Sequence, residues 1–165
     1  MTDIILCGCN GHMGKTIIEI VSTRDDINIV AGVDIKNDLT ASFPVYSTIS
    51  AVKEKADAVI DFSHPSLLDS ILAYCVKTNI PALIATTGND DDNIKKIHEA
   101  SKQVPIFFSY NMSLGINLLI NLVAKASAIL GDKFDIEIIE RHHARKADAP
   151  GGTALSLYHA VAQSQ

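Results

Sequence analysis

Apolar runs of strand length alternate along the chain with longer stretches in which apolar residues recur at helical spacing. The runs cover residues 4–7, 27–33, 58–62, 81–85 and 105–108. Continuous apolar runs are typical of parallel strands, which are buried on both faces, and the segments between them have the length and periodicity of crossing helices. The pattern therefore predicts an α/β fold built on a doubly wound parallel sheet.

Local signals predict several of the connections. Residues 37–46 have the composition of a surface loop, and a short helix is predicted at 49–54. Ser63 is predicted to cap the next helix, with Pro65 in its first turn. The acidic run 90–92 is of interest as a metal site, but it fits better at a helix N-terminus, where the helix dipole stabilises negative charge.

The pattern changes after a strongly apolar helix predicted at 113–130. Apolar and acidic residues alternate over 134–139, which predicts a half-buried strand of a different sheet. A further helix is predicted at 153–162. We therefore expect a dinucleotide-binding domain at 1–112 and the start of an α+β domain, incomplete in this chain, at 113–165.

A glycine turn joins the first strand to the first helix. Gly8, Gly11 and Gly14 follow the strand and lead into a helix predicted at 14–22, so backbone N–H groups and the helix dipole can meet a pyrophosphate. Asp34 ends the second strand, where a carboxylate can accept hydrogen bonds from the adenosine ribose. Together these features predict a Rossmann-type site for a dinucleotide.

A P-loop nucleotidase is the rival interpretation. Gly14-Lys15-Thr16 resembles the end of a P-loop, and Asp61 ends a strand as a magnesium-binding acid would. A P-loop needs a glycine five residues before Gly14, and Cys9 occupies that position. The spacing therefore favours the dinucleotide site.

A second chemical feature is the basic loop that precedes the last predicted helix. His142 can exchange a proton near neutral pH, and Lys146 offers a compact positive charge, as reduction of an imine or conjugated C=N system requires. The amides of Gly152 and Thr153 at the helix start would bind a carboxylate. The alternatives are a solvated basic loop and a zinc site from His142, His143 and His159.

Composition limits the classes of partner. The net charge is −5 and the positive charge is local, which argues against nucleic acid and anionic membranes. Cys7, Cys9 and Cys75 predict no disulfide framework, and we interpret Cys7 and Cys9 as small core residues rather than metal ligands. The sequence shows neither a leader peptide nor a membrane span, so we expect a cytoplasmic protein.

Five groups of residues form a combined pattern along the chain. They are Gly8-Cys-Asn-Gly11-His-Met-Gly14, Asp61-Phe-Ser63, Ala85-Thr-Thr-Gly88, Ser109-Tyr-Asn-Met-Ser113 and the motif of Glu140, His142, His143, Lys146, Asp148, Pro150, Gly152 and Thr153. Together they resemble the 4-hydroxy-tetrahydrodipicolinate reductase family of lysine and diaminopimelate synthesis, and the resemblance covers essentially the whole chain.

The resemblance implies an NADPH- or NADH-dependent homotetramer that transfers a hydride to a small cyclic dicarboxylate and releases water. His142 would donate the proton and Lys146 would assist. His143, Gly152 and Thr153 would bind the substrate. The residues implied to contact the cofactor are Gly8, Cys9, Asn10, Gly11, His12, Met13, Asp34, Ala85, Thr86, Thr87, Ser109, Tyr110, Asn111 and Met112.

The chain also departs from the family's pattern. Gly151 replaces the usual serine, and Ala85 stands where glycine is frequent. His12 and Ile35 occupy positions that are often basic, so with Asp34 and Lys36 nearby both NADH and NADPH stay open. Family members continue past residue 165, so we expect dinucleotide binding with little turnover by this chain. The alternative from another class is an NAD(P)H-sensing module without turnover.

Overall fold

A six-stranded parallel sheet organises the first of two compact units, Met1–Ser109, and the second unit is Tyr110–Gln165. The computed structural model describes residues 1–36, 41–109, 111–142 and 149–164. The strands are β1 (Thr2–Cys7), β2 (Ile27–Val33), β3 (Val45–Tyr46), β4 (Ala58–Asp61), β5 (Ala82–Ile84) and β6 (Ile106–Phe108). Their spatial order, β3-β2-β1-β4-β5-β6, is that of the doubly wound nucleotide-binding sheet, which confirms the predicted fold class.

Helices connect these strands and form the second unit. They are α1 (His12–Ser22), α2 (Leu68–Thr78), α3 (Asp91–Ser101), α4 (Leu114–Leu130) and α5 (Gly152–Ser164). In the second unit α4 packs against α5. Among the described residues, none of these helices is both long enough and apolar enough to cross a membrane.

The core lies on both faces of the sheet because successive side chains of a strand point in opposite directions. In β1, Ile5 faces the layer of α2 and α3, whereas Ile4 faces the layer of α1. The predicted apolar face of α1, which includes Ile17 and Val21, packs in the second of these layers. Burial on both faces explains why the strand sequences are continuously apolar.

The strands end in register at one edge of the sheet. Cys7 of β1 pairs with Val33 of β2 and with Asp61 of β4, and Asp61 in turn pairs with Ile84 of β5. The turns that follow these residues therefore begin side by side. In open parallel sheets this carboxyl edge is where ligands bind.

Three predictions in the first unit were inaccurate. Residues 45 and 46, predicted as loop, form the edge strand β3, because the Gly32 N–H donates to Pro44 O and the Asp34 N–H to Tyr46 O (both 2.9 Å). The helix predicted at 49–54 is a single 3-10 turn, Ile49–Ala51.

The third inaccurate prediction concerns the start of the helical segment before α2. His64, and not Ser63, is the N-cap of the 3-10 turn Pro65–Leu67 that leads into α2. The His64 Nδ1 accepts a hydrogen bond from the Ser66 N–H (3.2 Å). The Ser63 hydroxyl instead donates a hydrogen bond to Asp61 (2.5 Å).

The strand predicted at 134–139 is wrong as well. After the 3-10 turn Gly131–Lys133 the backbone is extended at Phe134 (φ −128°, ψ 132°), but residues 134–139 are in no strand. Phe134, Ile136 and Ile138 are exposed. An alternating sequence becomes a strand only when a neighbour accepts its ladder hydrogen bonds, and no strand within the described parts of the second unit does so.

Candidate functional site

The glycine turn after β1 is closed by backbone hydrogen bonds. Gly8 adopts φ +77°, a conformation that favours glycine, and its N–H donates to Val33 O (2.8 Å). The Gly11 N–H donates to Gly8 O (3.0 Å). Gly11 is then the N-cap of α1, with no side-chain cap and no acidic residue in the first turn. The start of α1 therefore carries the positive end of a helix dipole that no side chain of its own compensates.

Two of these glycines allow backbone segments to approach closely. A Cβ on Gly14 would lie 2.3 Å from Gly8 O and 2.6 Å from Cys9 Cα. A Cβ on Gly8 would lie 2.5 Å from Phe62 O, in the turn after β4. The turn is thus packed between α1 and the end of β4, as a pyrophosphate-binding turn requires.

Asp34 holds the turn to the end of β2. Its Oδ2 accepts a hydrogen bond from the Asn10 N–H (3.0 Å), and its Oδ1 accepts one from the Lys36 N–H (3.1 Å). The Asn10 side-chain amide also donates to Lys36 O. The predicted pairing of glycine turn and acid is therefore present in space.

A second carboxylate lies at the carboxyl edge, at the end of β4. Asp61 is 1% exposed and accepts hydrogen bonds from the Ser63 N–H (3.0 Å), the Ser63 hydroxyl (2.5 Å) and the Thr86 hydroxyl (2.7 Å). Asp61 and Ser63 were not among the residues predicted for the dinucleotide site. Protein donors engage both carboxylate oxygens of Asp61, whereas the P-loop interpretation required it as a magnesium ligand.

The turns after β5 and β6 place the remaining predicted cofactor residues of the first unit. The Ala85 N–H donates to Asp61 O (2.9 Å), and the Ser109 N–H donates to Ile84 O (3.1 Å). Ala85 and Thr86 are buried, whereas Thr87 is exposed. These residues lie at the same edge of the sheet as the glycine turn.

The cysteines are buried thiols, which confirms the interpretation of Cys7 and Cys9 as core residues. Burial, and then the nearby Asp61 carboxylate, raise the pKa of Cys7 well above its usual value. Burial likewise raises the pKa of Cys9 to about 11 and that of Cys75 to about 12. Within the described residues, no group of three or more His, Cys, Asp and Glu could hold a metal ion.

In the second unit, Asn111 lies near the start of α5. Its Nδ2 is 3.5 Å from the Thr153 hydroxyl, and its Oδ1 accepts a hydrogen bond from the Ser113 N–H (2.8 Å). Ser113, where the apolar helix was predicted to start, is the N-cap of α4, and its hydroxyl accepts a hydrogen bond from the Ile116 N–H (3.4 Å). Asn111 thereby joins the starts of the two helices, and Met112 beside it is exposed.

Glu140 connects the predicted proton donor to the turn before α5. Its Oε1 accepts a hydrogen bond from the Gly151 N–H (2.9 Å), and its Oε2 lies 3.7 Å from Nδ1 of the exposed His142. No chemical role had been predicted for Glu140 from the sequence. Tyr110, His143 and Lys146 lie outside the described residues, so their predicted roles remain predictions.

A doubly wound sheet with a glycine turn after β1 and an acid after β2 defines the class: a Rossmann-type dinucleotide-binding fold. The family model for dihydrodipicolinate reductase, N-terminus, matches residues 2–112, and that for dihydrodipicolinate reductase, C-terminus, matches residues 115–165. The chain belongs to the dihydrodipicolinate reductase family, as the sequence motifs predicted.

Individual relatives agree with the family models. The 4-hydroxy-tetrahydrodipicolinate reductase of Caldanaerobacter subterraneus is 48% identical over 163 residues, which cover 99% of this chain and 64% of the relative. The enzyme of the same name from Clostridium novyi is 46% identical over 164 residues, 99% of this chain and 65% of its own. This chain thus spans slightly less than two thirds of the length of these curated relatives.

A solved structure is similar over the same extent. It is a dipicolinate-bound dihydrodipicolinate reductase from Paenisporosarcina sp. TG-14, 27% identical, with a TM-score of 0.80. The match covers 99% of this chain and 66% of the other.

Proposed function

We propose that this chain binds NADH or NADPH at the glycine turn after β1 and serves in the reduction of 4-hydroxy-tetrahydrodipicolinate to tetrahydrodipicolinate in diaminopimelate and lysine synthesis. The observation that carries the proposal is the start of α1. Its N-cap is Gly11, no side chain caps it, and the Asn10 N–H beside it is fixed by Asp34. Such a helix start binds a pyrophosphate through backbone amides.

The residues present fit a nicotinamide dinucleotide. Gly8 and Gly14 leave no room for side chains, so the pyrophosphate can approach the backbone. A carboxylate oxygen accepts more than one hydrogen bond, so Asp34 can bind the ribose hydroxyls while it holds Asn10 and Lys36. We propose that Cys9, His12 and Met13 line the same turn, and that Ala85 to Thr87 and Ser109 to Met112 line the nicotinamide end through their backbone.

The chemistry divides between the cofactor and the second unit. A bound nicotinamide dinucleotide supplies the hydride. His142 donates a proton to the substrate with Lys146 assisting, so that one hydride and one proton are added and one water is released. His143 contacts the substrate, and the amides of Gly152 and Thr153 at the start of α5 hold a carboxylate.

The substrate class is a small cyclic dicarboxylate. Dipicolinate, present in the Paenisporosarcina structure, is of this class and is a suitable probe for titration. We place the reaction in the cytoplasm, in keeping with three free thiols. We further propose a homotetramer, in keeping with the exposed apolar side chains of Leu114, Leu118 and Leu122 on α4.

The test begins with calorimetric titration of NADH and NADPH into the chain. We expect saturable binding of at least one of them, and failure of both to bind would refute the proposal. Oxidation of NADPH is then followed at the nicotinamide absorbance, with substrate generated from pyruvate and aspartate semialdehyde. We expect little turnover by this chain, and that turnover should fall about hundredfold in His142→Gln and stay unchanged in His98→Gln, a matched exposed histidine on α3. Binding without turnover, even in a chain extended to the full length of the relatives, would instead support the sensing module.

A further inference from the structure

Within the part of the chain that the structure describes, the proposed chemistry leaves one buried charged side chain unused, that of Asp61. It is 1% exposed and sits at the end of β4, in register with the last residue of β1 and the last residue of β5. The strand order reverses between β1 and β4, and Asp61 of β4 pairs with Cys7 of β1, so Asp61 lies where the sheet changes its direction of winding. Ligands of such sheets bind in the crevice at this point.

The carboxylate is matched to donors on two different turns. The Ser63 N–H and hydroxyl donate to Oδ1, at 3.0 and 2.5 Å, and the Thr86 hydroxyl donates to Oδ2 at 2.7 Å. An ionised carboxyl has only acceptors, and hydrogen bonds to a charge are about twice as strong as neutral ones. Three such bonds offset the cost of burying the charge, and they hold both turns at a fixed distance.

These turns border the proposed dinucleotide site. A Cβ on Gly8 would lie 2.9 Å from Ser63 Cα, so the glycine turn rests directly on the segment that Asp61 holds. On the other side, Thr86 O accepts a hydrogen bond from the Asn89 side chain (2.7 Å), which continues the connection along the turn after β5. Thr86 is itself only 4% exposed, so its hydroxyl serves Asp61 rather than a ligand.

We propose that Asp61 is a positioning residue of the dinucleotide site, which sets the distance between the glycine turn after β1 and the turn after β5 that lines the nicotinamide end. The inference rests on the proposed dinucleotide binding and adds to it a residue that touches neither cofactor nor substrate. Loss of one of its bonds widens the crevice without altering the surface that the ligand meets.

The first experiment uses Thr86→Val, which removes the donor and keeps the shape, and Thr86→Ser, which keeps the donor. We expect NADH to bind Thr86→Val about tenfold more weakly than wild type, the equivalent of one hydrogen bond to a charged group. Thr86→Ser should bind within about twofold of wild type. Ile97→Val is the control, since it removes one buried methylene from α3, away from the crevice, and lowers stability without touching the network.

A second experiment needs no ligand. Amide hydrogen exchange of the segments around Gly8 to Gly11 and Phe62 to Ser63 should accelerate in Thr86→Val and stay unchanged in Ile97→Val, because only the first variant frees the turns. The double variant Asp61→Asn with Thr86→Val should exchange no faster than Asp61→Asn alone, since both changes break the same connection.

The outcomes separate this inference from the proposed function. Wild-type affinity and wild-type exchange in Thr86→Val would overturn the positioning role and leave dinucleotide binding intact. Equal weakening in Thr86→Val and Ile97→Val would also overturn it, because the effect would then follow stability alone. Accelerated exchange at the turns, in a chain that binds neither NADH nor NADPH, would support the connection of the turns by Asp61 and refute the proposed function.

Discussion

The first turns of α1 and α3 are built in opposite ways, although both helices start at the carboxyl edge of the sheet. The N-cap of α3 is Asp90, whose carboxylate accepts a hydrogen bond from the Asn93 N–H (2.8 Å), and Asp91 and Asp92 add negative charge to the first turn. The N-cap of α1 is Gly11, and the start of that helix has neither a capping side chain nor an acid. One helix supplies its own anion and the other leaves that place for a ligand.

This difference between the two helix starts means that one serves the stability of its helix and the other serves anion binding. Where the chain compensates a helix dipole with its own carboxylates, the helix gains stability and its N-terminus cannot bind a second anion well. Where it does not, the helix start is less stable alone and is ready for phosphate. Changes at the start of α1 should therefore affect ligand binding most, and changes at the start of α3 should affect stability alone.

Replacement of Gly14 by alanine should have the largest effect. The new Cβ would lie 2.3 Å from Gly8 O and 2.6 Å from Cys9 Cα, both backbone atoms, so the turn must move. We expect a loss of about 2–3 kcal/mol in stability and a loss of NADH affinity of about tenfold or more. Urea unfolding and calorimetry measure the two quantities.

Gly115→Ala is the matched control, because Gly115 also lies in the first turn of a helix, α4. Of the described residues, a Cβ there would meet only Ser113, with its Oγ at 3.8 Å. Alanine should stabilise α4 by about 0.5–1 kcal/mol and leave NADH binding unchanged. If both variants lost affinity alike, close packing of the turn would not be the reason for Gly14.

An acid placed in the first turn of α1 should give this helix start the negative charge that the start of α3 already has. Met13 is 49% exposed there, so Met13→Glu adds charge without a buried clash. We expect NADH affinity to fall about tenfold by repulsion of the pyrophosphate, with a gain of about 0.5 kcal/mol in stability. Calorimetry on Met13→Glu and on the neutral Met13→Gln isolates the charge. Equal affinities for the two would place the phosphates elsewhere.

The cap of α3 should matter for stability alone. Asp90→Ala removes the acceptor of the Asn93 N–H and should cost about 1 kcal/mol, whereas Asp90→Ser should keep most of it. NADH affinity should stay within about twofold of wild type in both. A large loss of affinity in Asp90→Ala alone would show that α3 takes part in binding, and the comparison between the helices would fail.

These helix starts also show what sequence can predict. The glycine spacing, Asp34 and the acids at 90–92 are local signals, so the dinucleotide turn and the start of α3 followed from them. The cap at His64 did not follow, because the Ser63 hydroxyl is bonded to Asp61, whose other oxygen is bonded to Thr86, 25 positions away from Asp61 in the chain. Only the tertiary contacts of Asp61 distinguish the cap at His64 from the predicted cap at Ser63.

Strand predictions likewise succeed where the local sequence is sufficient and fail where pairing with a neighbour decides. β1 and β2 are long and buried, and their sequences alone predict them. β3 exists because residues 44 and 46 accept hydrogen bonds from Gly32 of β2 and from Asp34 directly after it. Residues 134–139 are not a strand because their alternating pattern has no pairing neighbour in the described part of the second unit. The roles of His143 and Lys146 remain predictions from motif.

The smallest expected effect is the change in stability when one of two acidic side chains of α3 is neutralised. Asp92 and Glu99 each pair with a lysine three positions later, at 2.9 and 2.6 Å, and all four side chains are largely exposed. Asp92 lies in the first turn and Glu99 in the last, so the helix dipole favours only the first. Asp92→Asn should cost at most about 0.5 kcal/mol of stability, and Glu99→Gln should be neutral or slightly stabilising.

Urea unfolding at low salt should reveal the opposite signs of these two changes. In 1 M salt the two variants should become equally stable, because screening removes both the dipole interaction and the ion pair. Equal losses in the two variants would mean that the ion pairs, rather than the dipole, determine the contribution of these acids, and the contrast between α1 and α3 would then rest on the Asp90 cap alone.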